Sequence, residues 1–72
     1  MADLDFKIVE SCKVLSVNEK NGWQKELNLI SWNSKAAKYD IRDWNQDHTR
    51  MGKGVTLTKE ELQSLLDFKI DK

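Results

Sequence analysis

One short stretch of the sequence carries residues that could bind a polyanion. The segment KYDIRDW (residues 38–44) is strand-like, and it places Lys38, Asp40 and Arg42 at alternate positions. Trp44 comes next on the same side, because alternate side chains of a strand share one face of the sheet. Lysine and arginine can follow phosphates while an aromatic ring stacks on any base. A solvated sheet face explains the same pattern, and the residues alone leave both interpretations open.

A second candidate is MGKGVTL (residues 51–57), which sets Lys53 between two glycines. The segment does not fit a nucleoside-triphosphate loop, because Lys53 is followed by Gly54 instead of serine or threonine and the upstream glycine spacing is absent. The glycines would let the backbone approach a ligand closely, with Lys53 as a point charge. A turn into a strand also needs glycine, so both interpretations stay open.

Enzymatic and metal chemistry find little support in the sequence. Cys12 and His48 are the single cysteine and the single histidine, and a metal site needs more ligands than His48 and scattered carboxylates. No serine or cysteine has a base at a recognised motif spacing. We therefore expect a protein that is not an enzyme, without cofactor, metal or small-molecule substrate. We expect Cys12 to pack inside the sheet and His48 to lie in a solvated loop.

The length of the chain predicts one domain over residues 1–72. Chains of this size are marginally stable alone, and a lone cysteine cannot form an internal disulfide, so self-association is the expected source of additional stability. No apolar run approaches the roughly 20 residues of a membrane span, and no leader pattern precedes residue 20. These features predict a soluble cytoplasmic protein.

The charge is zero overall but unevenly distributed. Residues 18–54 hold seven basic and five acidic side chains, and the remaining residues hold five basic and seven acidic ones. All three tryptophans and the only tyrosine lie in this more basic segment. The coincidence of basic and aromatic residues favours a polyanion-binding surface.

The pattern along the chain predicts four strands and one helix. Residues 6–17 form the first strand, with a change of apolar parity near Ser11 and Cys12 that indicates either a bulge or burial on both faces. Asn21-Gly22 supplies the positive φ of a hairpin turn. The other expected strands are 23–32, 38–44 and the short 54–57. Neither face of the second strand is cleanly apolar, so its inward side is not assigned.

The helix follows over residues 58–70, with Thr58 as N-cap and Glu61 completing a capping box. Its apolar stripe is wide enough to pack on a twin helix as well as on the sheet, and consists of Leu62, Leu65, Leu66 and Ile70, widened by Phe68. The expected fold is therefore α+β, an antiparallel sheet followed by a C-terminal helix. If Tyr39 and Ile41 face the helix, Arg42 and Trp44 point to an open face.

The combination of KYDIRDW, GKGVTL and a capped helix, with GWQKELNLISWN as second strand, resembles the transcriptional positive coactivator family. Members of this family bind single-stranded DNA, and the resemblance is strongest to the compact bacterial YdbC-like branch. It covers nearly the whole chain. It implies a strongly curved four-stranded sheet, a homodimer paired through the helix, and a basic groove for single-stranded DNA.

The resemblance also assigns residues. The family's third-strand arginine falls on Arg42, its lysine between two small residues falls on Lys53, and its aromatic falls on Trp44. The basic and aromatic hairpin tip corresponds to Trp32, Lys35 and Lys38.

We therefore predict sequence-independent single-stranded DNA binding by a homodimeric β-sheet groove, in support of transcription, replication or repair. The expected phosphate contacts are Lys25, Lys35, Lys38, Arg42 and Lys53, with Trp44 and Trp32 stacking on bases. A protein-interaction module and a single-stranded RNA binder are the alternatives.

Overall fold

The computed structural model describes residues 5–70, which form a four-stranded sheet and one helix. The strands follow one another in the order β1-β2-β3-β4, and all neighbours are antiparallel. The elements are β1 (Phe6–Val17), β2 (Gln24–Trp32), β3 (Lys38–Trp44), β4 (Met51–Leu57) and α1 (Lys59–Asp67). The α+β prediction is confirmed in this form, an open antiparallel sheet followed by a C-terminal helix.

Two boundaries differ from the prediction by more than one residue. β4 begins at Met51, because the glycines of MGKG continue the pairing with β3 instead of ending a loop. α1 ends at Asp67, since its C-cap Phe68 has extended backbone angles. Ile70 therefore lies beyond the helix, and the helical apolar stripe is limited to Leu62, Leu65 and Leu66.

The sheet is strongly curved, as the aromatic contacts show. Phe6 pairs with Trp32 at one end of β2, and Trp44 pairs with Gln24 at the other end. Eight residues of flat strand would separate these ends by roughly 26 Å. The ring of Phe6 nevertheless lies 6.0 Å from that of Trp32 and 5.3 Å from that of Trp44. The side of the sheet that carries these rings is therefore its concave face.

Bulges in β1 explain much of this curvature. β1 has 12 residues against nine in β2, and its register shifts between Ile8 and Glu10, between Ser11 and Lys13, and between Val14 and Ser16. Each bulge bends the strand and increases its twist. The parity change near Ser11 and Cys12 is thus a bulge. Cys12 itself is exposed, so the prediction that it packs inside the sheet is wrong.

Tight turns hold the strands in register. Asn33 and Ser34 both have positive φ, 52° and 63°, and the N–H of Lys35 donates to the carbonyl of Trp32 at 2.9 Å. Two consecutive positive φ values closed by this hydrogen bond are typical of a type I′ turn, which here begins the five-residue connection of residues 33–37. The expected positive φ between β1 and β2 is found at Gly22, at 77°.

The concave face forms the core, contrary to expectation. Trp44 and Ile30 are completely buried there, whereas Tyr39 and Ile41 on the other face are only half-buried. The expectation that Arg42 and Trp44 point to an open face is therefore wrong. Because the sheet curves so strongly, the side chains of its concave face cover one another without the help of a second layer.

The helix contacts β3 and β4 and buries one residue, Leu62. Its predicted capping box is confirmed, because the N–H of Glu61 donates to Thr58 Oγ1 at 3.0 Å and the N–H of Thr58 donates to Glu61 Oε1 at 2.8 Å. Within residues 5–70, the chain has no helix of the length and apolar character that a membrane crossing requires.

Candidate nucleic-acid interface

The guanidinium of Arg42 is bound to Asp40 instead of projecting into solvent. Arg42 Nε donates to Asp40 Oδ1 at 2.7 Å and Nη2 donates to Oδ2 at 2.9 Å, a bidentate pair. Thr56 Oγ1 adds a third hydrogen bond to Asp40 at 2.9 Å. Asp40 is completely buried and the Arg42 side chain is 16% exposed. The positive charge of Arg42 is therefore largely neutralised within the chain.

Arg42 also stacks on Trp32. Its Cζ lies 4.9 Å from the centroid of the Trp32 ring, a distance at which a cation is attracted to an aromatic face. Trp32 is half-buried, and its indole Nε1 has no hydrogen-bond partner in the described part of the chain. Of the seven residues predicted to bind nucleic acid, these two are the ones that the structure shows in direct contact.

Trp44 is covered by its neighbours. The centroid of its ring lies 5.3 Å from that of Phe6 and 5.4 Å from that of the His48 imidazole. No part of its surface reaches solvent. Stacking of a base on Trp44 therefore requires that one of these side chains move away, and its role in binding stays a prediction.

The four predicted lysines are all exposed. Lys35 lies in the β2–β3 turn, and Lys38 starts β3 on the side of the sheet that also carries Arg42. Lys53 lies in a bulge of β4, one residue before Gly54, which pairs with Arg42. Lys25 pairs with Asp43 and occupies the opposite face, because its neighbour Glu26 pairs with Arg42.

Gly54 is required by the packing of β4 on β3. A Cβ atom at this position would collide with the Cβ of Arg42 and with the carbonyl oxygen of Ile41. A Cβ atom added at Gly52 would lie 3.4 Å from its nearest neighbour, the Cβ of Asp43, which is an ordinary contact. The glycine at position 54 is thus explained by the sheet itself, without a ligand.

A polar network on β2 was not predicted from the sequence. Glu26, which is 4% exposed, accepts hydrogen bonds from Gln24 Nε2 at 2.9 Å, Asn28 Nδ2 at 3.0 Å and His48 Nε2 at 2.9 Å. Burial alone would raise the pKa of Glu26, but the bonds from Asn28, His48 and Gln24 outweigh it and lower the pKa. The alternation Gln24, Glu26, Asn28 was the available signal, because three polar residues share one face of β2.

His48 is positioned by the β3–β4 loop (residues 45–50). Its φ is 59°, a left-handed conformation that histidine adopts more readily than most residues. Asn45 organises the loop, since its side chain accepts from the N–H of Arg50 at 2.9 Å and donates to Thr49 at 2.9 Å. The prediction that His48 is a solvated loop residue is wrong, because the loop directs its ring to Glu26.

Asp47 also stabilises the β3–β4 loop through hydrogen bonds with Thr49. The hydroxyl and the N–H of Thr49 donate to its carboxylate and lower its pKa. Among residues 5–70, no three His, Cys, Asp or Glu side chains are grouped so that they could hold a metal ion.

The fold and this site define a class: a small α+β domain that presents cationic side chains along a curved antiparallel sheet, followed by one helix. Residues 19–68 match the model of the family described as Transcriptional Coactivator p15 (PC4), and the chain belongs to this family. The predicted resemblance is confirmed at the level of the family, whereas membership of the YdbC-like branch stays a prediction. The family indicates single-stranded DNA binding and coactivator-like roles.

A bacterial relative covers most of the chain. An uncharacterized protein of Treponema pallidum (strain Nichols) is 46% identical over 66 residues, which are 92% of this chain and 76% of the relative.

Proposed function

We propose that this protein binds single-stranded DNA without strong sequence preference, as a homodimer. Membership of the p15 (PC4) family is the observation that carries the proposal, because this family is a nucleic-acid-binding, non-enzymatic one. The cellular role that follows is support of a process that exposes single strands, namely transcription, replication or repair.

The contacts start at the β2–β3 turn. Lys35 and Lys38 are exposed there, and the half-buried Trp32 lies at the adjoining end of β2. Lysine ammonium groups bind phosphates and release counterions, while an accessible indole edge or face stacks on a base. Lys53 adds positive charge on β4 near Arg42, whereas Lys25 adds it on the opposite face of the sheet. Arg42 supports this surface from below by holding the Trp32 ring.

Exposed apolar side chains support the homodimer. Leu66 in the last turn of α1 is 65% exposed, and Phe68 and Ile70 just after the helix are 70% and 80% exposed. Large exposed apolar side chains so close together in the chain favour an interaction site. A second copy of a chain this small would bury the surface of both and provide the stability that one copy lacks.

DNA binding is tested by titrating the protein with oligo-dT and following tryptophan fluorescence at two salt concentrations. We expect quenching at micromolar protein in low salt, and a weaker affinity at high salt because phosphate contacts release counterions. Lys38→Ala should weaken binding and reduce the salt dependence, whereas Lys59→Ala on α1 serves as the matched control. Absence of quenching at low salt would contradict the proposal, and matched RNA and duplex competitors separate the polymers.

The homodimer is tested by sedimentation of the wild-type chain and of Leu66→Asp. We expect twice the 8.4 kDa of one chain for the wild type. Burying a charge in an apolar interface should raise the dimer dissociation constant at least about 30-fold, as expected for a central interface residue worth about 2 kcal/mol. Gln63→Glu, a polar position of the same helix, is the control. A monomeric wild type at high concentration would exclude the dimer.

A protein-interaction module is the second candidate. Its support is the apolar surface of β1, where Val9, Leu15 and Val17 are about half-exposed. A partner retained after nuclease treatment, together with no oligonucleotide binding, would favour this function over the first.

A further inference from the structure

The concave face holds a cleft of about 350 Å³ that lies outside the proposed phosphate and stacking contacts. Its volume is in the range of sites that bind small ligands or single bases. The bulged part of β1, three polar side chains of β2 and the β3–β4 loop line it: Ser11, Cys12, Lys13, Val14, Gln24, Glu26, Asn28 and His48. None of the seven residues predicted to bind nucleic acid is among them.

The wall formed by β2 is made of fixed hydrogen-bond acceptors. The ionised carboxylate of Glu26 can only accept, so the amide nitrogens of Gln24 and Asn28 must be the atoms that face it. Gln24, which is half-buried, then keeps its carbonyl oxygen as an acceptor for a ligand, whereas Asn28 is only 1% exposed and holds Glu26 in place. Glu26 Oε2 receives one hydrogen bond, from Gln24, and therefore keeps a lone pair as well.

The charge of this wall decides which part of a nucleic acid can enter. Glu26 repels phosphate, and its low pKa keeps the negative charge at neutral pH. A carboxylate in a nucleic-acid interface instead accepts hydrogen bonds from the donor groups of bases. Lys13 also lines the cleft, and its ammonium group can donate a hydrogen bond to an acceptor on the same ligand. The complementary ligand thus has adjacent N–H donors and a carbonyl or ring-nitrogen acceptor.

We propose that this cleft binds a guanine base of the bound strand. Guanine has a ring N–H beside an exocyclic amino group, which match Glu26 and Gln24, and it has O6 and N7 for Lys13. Thymine has a single N–H, and adenine and cytosine have one amino group each. The inference rests on the proposed function and adds a preference at one position, because the phosphate contacts themselves carry no sequence information.

The test compares oligo-dT with the same oligomer carrying one internal guanine, by fluorescence titration of the full chain. We expect the guanine to tighten binding at least about fivefold, the lower end for a bidentate base contact. Hypoxanthine, which lacks the exocyclic amino group, should remove most of this gain. Equal affinities for the oligomers with and without guanine, or for guanine and hypoxanthine, would overturn the inference. Binding of none of them would overturn the proposed function instead.

Protein variants assign the preference to the cleft. Glu26→Gln replaces one acceptor oxygen by a donor, so the ratio of the guanine to the thymine affinity should fall to about one. Glu10→Gln, at an exposed position of β1, should keep the wild-type ratio. A folded Glu26→Gln protein with an unchanged ratio would refute the assignment. If this variant does not fold, the hypoxanthine comparison on the wild type decides.

Discussion

The concave face of the sheet and the C-terminal end of the helix invert the usual distribution of polarity. On the concave face, Asp40 and Asn28 are as deeply buried as Ile30. Near the end of α1, Leu66 and Phe68 are mostly exposed. A protein tolerates buried polar groups where each one is hydrogen-bonded, and it retains large apolar groups on its surface where a partner covers them. Asp40 and Asn28 both have hydrogen-bond partners, although the buried indole Nε1 of Trp44 has none among the described residues, whereas nothing in residues 5–70 covers most of Leu66 and Phe68.

The strongest test of this difference replaces a large aromatic in each region. Trp44→Ala should lower the free energy of unfolding by about 3–5 kcal/mol, because it leaves a cavity in the buried concave face. Phe68→Ala should lower the free energy of unfolding by an amount that grows with protein concentration, because in the proposed homodimer Phe68 contacts a second copy. Urea denaturation at two protein concentrations measures both. A small loss for Trp44→Ala would show that the concave face is not the core.

A second test concerns the buried ion pair. Arg42→Ala should lower the free energy of unfolding by about 3 kcal/mol, because it leaves the carboxylate of Asp40 buried without its charge partner. Lys38→Ala on the same strand should change it by less than about 0.5 kcal/mol, since its side chain is exposed. Equal effects in urea denaturation would show that Arg42 is a surface cation. A large loss at Arg42 also means that DNA binding by this variant must be measured on folded protein.

The smallest expected effect is a pH dependence of stability. The pKa of Glu26 in the folded protein lies below its ordinary value of 4.5, so its contribution is present above that value and is lost as the pH falls through the folded pKa. We expect the free energy of unfolding to decrease below about pH 4.5. Glu26→Gln should reduce this decrease, with part remaining because the pKa of Asp47 is also lowered. Identical acid profiles for wild type and variant would contradict the Glu26 contribution.

Much of the fold was predictable because it depends on local interactions. Thr58 and Glu61 form their capping box within one helical turn, and Gly22 supplies a turn conformation that side chains disfavour. The change of parity near Cys12 indicated a bulge, although the other two bulges of β1 were not anticipated. The structure brings two of the predicted site residues, Trp32 and Arg42, into contact, whereas the network around Glu26 was not predicted. In this network His48, in the β3–β4 loop, contacts Glu26 on β2, which is 22 residues away in the sequence. Local patterns do not reveal a contact over that separation.

By itself, the sequence determined the four strands, the antiparallel order, the capped helix and the family of the protein. These follow from residue spacing, turn residues and caps, which act over a few residues at a time. The tertiary structure alone decided which face of the sheet became the interior. Strand periodicity divides side chains into two sets but does not say which set is buried. The bulges of β1 curve the sheet, and Trp44, Asp40 and Glu26 are buried on its concave face.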